Sequence, residues 1–244
     1  NSPHIYYPDP AAIGGTGAHE NQIIDNMNND PFGHHSMLQT AENVAARHQI
    51  TTQEQHELVF RRGQQYQDAV VDDSAFLKRF MTLPFSVPSG NYKKVVSSLN
   101  GDEGIFPSNL QKLERLKPVI EGGTVTYGGQ THPADGNACI IVTTPEKAHE
   151  FSRNKKIKVH IRGFGQARAE LGYMPEAPVP AANKALNMAG WGIKNIDAVK
   201  THNPFAVNDI YFSRETGWDL DKMNNYGCTL IWGHTQAAMG TRGV

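Results

Sequence analysis

Cysteine is nearly absent from this chain: its 244 residues include only two, Cys139 and Cys228. Two thiols cannot build a disulfide framework or a cysteine-rich zinc site, which excludes the small secreted scaffolds that depend on either. Such low cysteine usage suits a reducing compartment, so we expect a cytoplasmic location.

An excess of charge is also missing, and so is any long hydrophobic run. Lys and Arg number 23 against 24 for Asp and Glu, and charged residues make up only 19% of the chain. This balance argues against an electrostatic nucleic-acid binder and against a membrane-surface protein. No apolar run approaches the roughly 18 residues of a membrane-spanning helix. The length is sufficient to bury a large core without a structural metal.

Neither end of the sequence has the features of a natural terminus. It starts Asn1-Ser2-Pro3 with neither a methionine nor a targeting segment, and it stops at Arg242-Gly243-Val244, where a helix is predicted to begin. We therefore expect a piece of a longer polypeptide. Residues 1–39 are rich in Pro, Gly, Asn and His and are expected to be irregular.

Helix-start and helix-stop signals mark several segments. Thr51 and Glu54 have the spacing of a capping box. Pro145 suits the first position of a helix, and Gly190 suits the residue that follows one. These signals predict helices over residues 40–49 with Thr40 as the cap, 53–71, 145–154, 179–190 and 208–216.

Short apolar runs with β-branched residues alternate with helices after residue 137. ACIIVTT is bounded by turn residues, and KIKVHIRG alternates apolar with polar side chains, as buried and half-buried strands do. The alternation predicts a layered α/β core. The predicted strands cover residues 138–144, 156–163, 196–202 and 228–232.

Two histidines follow apolar runs, at the strand ends where ligands collect in open α/β sheets. His234 lies between a predicted strand and a helix start, where the helix dipole would keep an imidazole neutral, as a general base requires. The residues alone favour a simpler alternative, a histidine that only hydrogen-bonds within the turn. His202 and Asn203 are equally compatible with a site and with a plain helix start at Asn203-Pro204.

Other polar residues have structural explanations. His34 and His35 are adjacent and project in different directions, and no nearby carboxylate or thiol completes a metal site, so no metal is expected. Cys139, inside an apolar run, is predicted to be a buried, inert thiol. Cys228, beside Gly227, is predicted to be partly open.

Five segments, in order along the chain, together resemble the thiolase family. GTVTYGGQTHPADGNAC, residues 123–139, is similar to the family stretch GTVTAGNASGLNDGAAA without a gap. Residues 224–243 resemble N-x-x-G-G-x-x-x-x-G-H-P-x-G-A-x-G. The other three are TAENVA at 40–45, PVPAANKALNMAGW at 178–191, and HNPFA at 202–206, where the family has N-E-A-F-A or a histidine in first position.

This resemblance implies an α/β thiolase-like fold, with a layered αβαβα core that the chain covers in part and a mostly helical and irregular loop domain. We expect residues 1–127 to be the loop-domain-like region and residues 128–244 to be a C-terminal α/β domain, incomplete at its end. The implied reaction transfers an acyl group between a cysteine and coenzyme A, with cleavage or Claisen formation of a carbon–carbon bond.

The resemblance also assigns site residues by position. His234 matches the histidine that deprotonates the nucleophilic cysteine, and His202 matches a residue that helps to form an oxyanion site. Thr131 falls at a serine near the coenzyme A moiety, and Met174 and Phe205 fall at apolar residues lining the acyl pocket.

Partners follow from the same resemblance. Acyl-CoA and coenzyme A are expected as substrates, with no other cofactor and no nucleic acid. Family members usually form dimers or tetramers, so a homo-oligomer is expected, and an accessory subunit is a further candidate partner.

The sequence departs from the family pattern at several positions. Neither Cys139 nor Cys228 falls at a catalytic cysteine, so the nucleophile is expected outside this chain. Thr235 replaces the proline that follows the histidine, and the loop-domain histidine falls near Ser36, one place from His35. These departures keep an alternative open: a non-catalytic thiolase-like subunit that binds acyl-CoA or a partner protein.

Overall fold

A computed structural model describes residues 4–8, 11, 16–106 and 109–243. Within these residues, two antiparallel strand pairs, β1 with β2 and β3 with β4, accompany a larger set of helices. The strands are β1 His4–Pro8, β2 Thr16–Asn21, β3 Phe85–Pro88 and β4 Val95–Leu99. The α-helices are α1 Gln22–Asn28, α2 Met37–Arg47, α3 Thr52–Ser74, α4 Leu110–Leu113, α5 Pro145–Phe151, α6 Pro178–Ala189, α7 Ala206–Thr216, α8 Thr229–Trp232 and α9 Met239–Gly243.

The helix caps agree with the sequence in part. The predicted capping box is present, since the Thr51 N–H donates to Glu54 Oε2 at 2.8 Å and the Glu54 N–H donates to Thr51 Oγ1 at 3.2 Å. The predicted cap at Thr40 is wrong, because Ser36 caps α2 by accepting the Gln39 N–H at 3.0 Å. As predicted, Gly190 ends α6, in the left-handed conformation with φ 71°.

The core forms where α2, α3, α7 and α8 pack together. Val44, Leu58, Ile210 and Ile231, one from each helix, are all buried there. Because α7 and α8 contribute some of the most buried side chains, the chain segments that precede and follow them are held firmly.

A buried ion pair joins α3 to α7. Arg62 Nε donates to Asp209 Oδ2 at 3.0 Å, and both side chains are fully inaccessible to solvent. Asp209 also accepts hydrogen bonds from Thr201 Oγ1 at 2.6 Å and from Asn203 Nδ2 at 2.7 Å. These bonds fix the backbone on both sides of His202.

A second polar anchor connects two of the family-like segments. Glu42, in TAENVA, accepts the backbone N–H groups of Thr124 and Val125 at 2.8 Å each, from the start of the 123–139 stretch. A carboxylate that accepts several N–H groups satisfies donors that would otherwise be buried without partners. The stretch is therefore held against α2 at its first residues.

The four predicted strands are wrong as secondary structure. Residues 138–144 and 156–163 do not form strands; Val142 is 72% exposed and Val159 is 83% exposed. Residues 196–202 contribute only an isolated bridge between Val199 and Met223, and residues 228–232 form α8 instead. A strand requires a neighbour for its backbone groups, and within the described residues no such neighbour lies beside the first two segments.

Candidate active site

One cleft of about 1270 Å³ brings together all five predicted site residues. Its lining is mostly apolar and includes Ala181, Ala185 and Leu186 of α6. The five predicted residues on its surface are Thr131, Met174, His202, Phe205 and His234.

The backbone of residues 130–134 holds the two histidine segments together. The Thr131 N–H donates to the carbonyl of Pro204 at 2.7 Å, and the His234 N–H donates to the carbonyl of His132 at 2.7 Å. The Ala134 N–H returns a bond to the His234 carbonyl at 3.2 Å. His202 and His234, which are distant in sequence, are therefore neighbours because one extended segment pairs with both.

The rings of His202 and His234 meet edge to face. Their centroids are 4.7 Å apart and their planes are inclined by 86°. Two protonated imidazoles at this separation would repel each other, so the arrangement favours neutral rings.

Burial keeps the imidazoles neutral near physiological pH. Desolvation and, to a smaller extent, the neighbouring His234 lower the pKa of His202 to about 4. Burial also lowers the pKa of His234 below its ordinary value. Neutral rings can donate from one nitrogen and accept at the other, which is what acid–base or oxyanion chemistry requires.

The hydrogen bonds of His234 identify its tautomer. The backbone N–H of Gln236, at the start of the single helical turn Gln236–Ala238, donates to His234 Nδ1 at 2.9 Å. An N–H can only donate, so Nδ1 is the acceptor and the neutral ring carries its proton on Nε2. His234 therefore presents an N–H donor in this state.

Thr131 and Phe205 are more enclosed than Met174. Thr131 Oγ1 donates to the carbonyl of Thr229 at 2.7 Å, so its hydroxyl is left only as an acceptor. Phe205 is 6% exposed, whereas Met174, in the single turn Met174–Glu176, is 45% exposed.

The surroundings of the two histidines correct several local predictions. His234 follows the helix α8 rather than a strand, but the helical turn predicted after it is present. The alternative that made Asn203 a helix cap is wrong: its amide donates to buried Asp209, and α7 begins at Ala206.

Both cysteine predictions are wrong. Cys139 is exposed, because its segment does not form a buried strand, and Cys228, the N-cap residue of α8, is buried. Burial raises the pKa of the Cys228 thiol to about 11, which disfavours the reactive thiolate. Neither thiol is among the residues that line the cleft.

The cleft also contains His132, which sequence reasoning did not select and which is bonded to His234 through its carbonyl. Ser36, where the loop-domain histidine was expected, lines the cleft from the N-terminus of α2. His35 does not line it; its Nδ1 is buried and makes no hydrogen bond to the described residues. The signal for His132 was its place in the 123–139 stretch, between Thr131 and the segment that pairs with His234.

No metal site or membrane span is found in residues 4–8, 11, 16–106 and 109–243. Their His, Cys, Asp and Glu side chains form no group of three or more that could hold a metal ion. None of their helices is both long enough and apolar enough to cross a membrane.

Comparisons with known proteins find matches to one family along nearly the whole chain. The model of the thiolase N-terminal domain matches residues 4–146, and that of the thiolase C-terminal domain matches residues 155–244. An acetyl-CoA acetyltransferase of Chromobacterium violaceum is 31% identical over 99% of this chain and 60% of its own length. The human mitochondrial 3-ketoacyl-CoA thiolase is 30% identical over 84% of this chain and 50% of its own length.

The fold has a counterpart among solved structures. The crystal structure of the Bacillus anthracis acetyl-CoA acetyltransferase superposes with a TM-score of 0.80 and 26% identity, covering 98% of this chain and 59% of that one. The chain thus spans about 50–60% of the length of the relatives it matches. The superposition confirms the predicted thiolase-like α/β fold class, and together with the two domain matches it shows that this chain belongs to the thiolase family.

Proposed function

We propose that the protein containing this chain is an acyl-CoA C-acyltransferase, which cleaves 3-ketoacyl-CoA with coenzyme A or runs the reverse Claisen condensation. The observation that carries this proposal is the pair of neutral histidines, His202 and His234, that line one mostly apolar cleft. Family membership supports the same reaction class. Acyl-chain metabolism is the corresponding cellular role.

In this reaction a thiolate attacks the keto carbon, and the electron pair of the C=O bond moves onto oxygen. The carbon–carbon bond then breaks, leaving an acyl-enzyme thioester and releasing acetyl-CoA after protonation of its carbanion. Coenzyme A thiol finally takes the acyl group from the enzyme. Each step needs a donor for the oxyanion and a group that moves a proton.

We assign both tasks to the histidine pair. With Nδ1 occupied by the Gln236 N–H, His234 presents Nε2–H and is suited to bind an oxyanion. To deprotonate a cysteine it must instead use the tautomer with a free Nε2, which opposes the Gln236 bond. His202 Nδ1 lies 3.2 Å from Thr229 Oγ1, which donates its own proton to Met239 Sδ at 3.1 Å. Thr229 therefore accepts from Nδ1–H, so the other nitrogen of neutral His202 is free to take up a proton and can donate to the oxyanion once it has done so.

The remaining predicted residues bind substrate in this proposal. Thr131 lies on the segment between the histidines and receives the coenzyme A portion. Phe205 and Met174 line the apolar part of the cleft and receive the acyl group, whose transfer from water into an apolar site is favourable.

The presence of a nucleophilic cysteine elsewhere in the polypeptide distinguishes this proposal from its alternative. Cys139 and Cys228 both lie away from the cleft lining, which supports a nucleophilic cysteine elsewhere in the polypeptide. The same observation favours the second candidate, a non-catalytic thiolase-like subunit that binds acyl-CoA or a partner protein. A loop domain over residues 1–127, a C-terminal domain over 128–244, homo-oligomers and a cytoplasmic location remain predictions.

The test is to trap the acyl-enzyme. The full-length protein is incubated with acetyl-CoA, quenched in acid and digested. The mass of every cysteine-containing peptide is then measured by mass spectrometry. Acetylation of one cysteine other than Cys139 and Cys228, reversed by added coenzyme A, is the expected result. Binding of coenzyme A without any acylated cysteine would exclude the enzyme and leave the non-catalytic subunit.

A further inference from the structure

We propose that His132 is a substrate-binding residue that donates a hydrogen bond to an amide carbonyl in the thiol arm of coenzyme A. The inference rests on the proposed function in one respect only, that coenzyme A esters enter the cleft. It concerns a side chain that the family stretch quoted above lacks, because glycine stands there in the ungapped match.

The position of His132 is defined by the two catalytic segments. Its carbonyl accepts the N–H of His234 at 2.7 Å, and the residue before it, Thr131, is bonded to Pro204. His132 is one of the residues that line the same cleft as His202 and His234. A group bound at His132 is therefore a close neighbour of the reacting centre.

Packing alone holds the imidazole of His132. The ring centroids of His132 and Phe106 are 5.9 Å apart, and the rings meet edge to face. A Cβ added to Gly233 would lie only 2.9 Å from Nε2 of His132. On a third side, a Cβ on Gly104 would lie 3.6 Å from the same nitrogen. The glycine at 233 is what leaves room for the ring, since 3.6 Å from Gly104 would be an ordinary contact.

The polar capacity of His132 is unused within the protein. Across the part of the chain that the structure describes, neither ring nitrogen makes a hydrogen bond, and the ring is half-buried. Neither nitrogen is among the buried polar atoms that lack a partner, so water can reach both of them. A ligand in the cleft can therefore replace that water as the hydrogen-bond partner of the ring.

Hydrogen-bond complementarity indicates which ligand group this is. The Thr131 hydroxyl already donates to the Thr229 carbonyl, so it can only accept, for example from an amide N–H. An amide also needs a donor for its carbonyl, and His132, the next residue, can provide one. The thiol arm of coenzyme A carries amides close to the sulfur. The acyl chain of a simple thioester carries no amide, only the carbonyl groups that react.

The experiment compares His132→Leu with His132→Gln in the full-length protein. Leucine keeps the packing against Phe106 and Gly233 without a donor, and glutamine restores a donor. Equilibrium binding of coenzyme A is measured by titration calorimetry, and KM and kcat for acetoacetyl-CoA are measured alongside. His160→Gln, on the exposed segment 156–163, is the matched control.

Loss of one hydrogen bond predicts that His132→Leu raises both Kd and KM about 3- to 10-fold, with kcat within about 2-fold of wild type. His132→Gln should recover most of the affinity. Unchanged affinity in His132→Leu, or an equal loss in His132→Gln, overturns the proposal. An equal loss of melting temperature in both variants accompanied by lost kcat would indicate a structural role and overturn it as well.

The two proposals fail separately. If the wild-type enzyme is active and its affinity for coenzyme A is unchanged in His132→Leu, only the role of His132 is overturned. Coenzyme A binding that depends on His132, in a protein without acyl transfer, supports that role and overturns the enzyme. A wild-type protein that does not bind coenzyme A overturns both.

Discussion

The two cleft histidines illustrate how burial sets chemistry at the level of single residues. His202 and His234 lie among protein atoms that make their charged forms unfavourable, and the His234 ring further disfavours a proton on His202. A neutral imidazole has one nitrogen free to accept a proton, so either ring of the pair can take up and return a proton without first losing one to water. The pair is therefore suited to catalysis around neutral pH rather than in acid.

His202 should make the folded protein sensitive to acid. Its pKa is about 4 in the folded chain against 6.5 for the ordinary group, so between these values the unfolded chain binds a proton that the folded chain does not. The stabilisation by the neutral ring is complete above pH 6.5 and is lost as the pH falls toward 4. Melting temperatures across this range should fall less steeply for His202→Asn than for wild type. Identical slopes would mean that His202 does not titrate as described.

Elements are held in place here by interactions that differ greatly in burial. The Arg62–Asp209 pair crosses from α3 to α7 with both side chains inaccessible, while the adjacent Arg61 pairs with Asp221 at the surface. Burial makes the first pair costly to break, because the surviving charge stays desolvated. It also positions His202, since Asp209 binds Thr201 and Asn203.

Asp209→Asn should lower the free energy of unfolding by about 3–5 kcal/mol, since the Arg62 cation would remain buried without its counter-charge. The matched variant Asp221→Asn should cost only about 0–1 kcal/mol, because water screens the surface pair. Urea denaturation of both variants checks the difference. Equal losses would show that burial does not distinguish the two pairs.

The turn between α8 and His234 requires glycine. Gly233 has φ 86° and ψ 174°, a region that is essentially restricted to glycine, and an added Cβ would lie 2.7 Å from Ala134 Cβ. Gly233→Ala should therefore cost about 1–3 kcal/mol of stability and displace His234. Gly240→Ala is the control: open space surrounds this helical glycine, so alanine should be neutral or slightly stabilising. Thermal unfolding of the two variants provides the comparison, and an unaffected Gly233→Ala protein would contradict this account of the turn.

For the whole molecule, the extended segments after residue 137 leave much apolar surface open. Val142, Val159, Ile161 and Phe164 are all at least 72% exposed. Exposed apolar patches of this kind promote association. Residues 1–244 produced alone should therefore self-associate, and light scattering should show species heavier than a monomer. The double variant Val159→Lys, Ile161→Lys should reduce this association, whereas a monodisperse wild-type monomer would refute the expectation.

Features that depend on neighbouring residues, such as helix ends, were predicted from the sequence more accurately than strand pairing. The capping box at Thr51 and the helix stop at Gly190 depend on neighbouring residues, and both are present. The strand at 138–144 depends on a pairing partner, which no local pattern reveals, and the apolar run 228–232 was compatible with either a strand or the helix it forms. This error also placed Cys139 in the core.

The candidate site residues were found through motif order rather than through local patterns. His202, His234, Thr131, Met174 and Phe205 were selected by their position in family-like segments, and they meet in one cleft. Their meeting depends on residues 130–134 pairing with two distant segments, which spacing alone does not indicate. His132 was missed because glycine stands at its position in the family stretch, so the resemblance gave it no role.

The most direct measurement of the central claim is the rate of coenzyme A-dependent cleavage of acetoacetyl-CoA by the full-length protein and three variants. His202→Ala and His234→Ala should each lower kcat by about 10²- to 10⁴-fold, because each removes an oxyanion donor or proton carrier. His34→Ala, at an exposed loop histidine outside the cleft, should retain the wild-type rate. A wild-type rate in either His202→Ala or His234→Ala would contradict the claim that this histidine pair performs the chemistry.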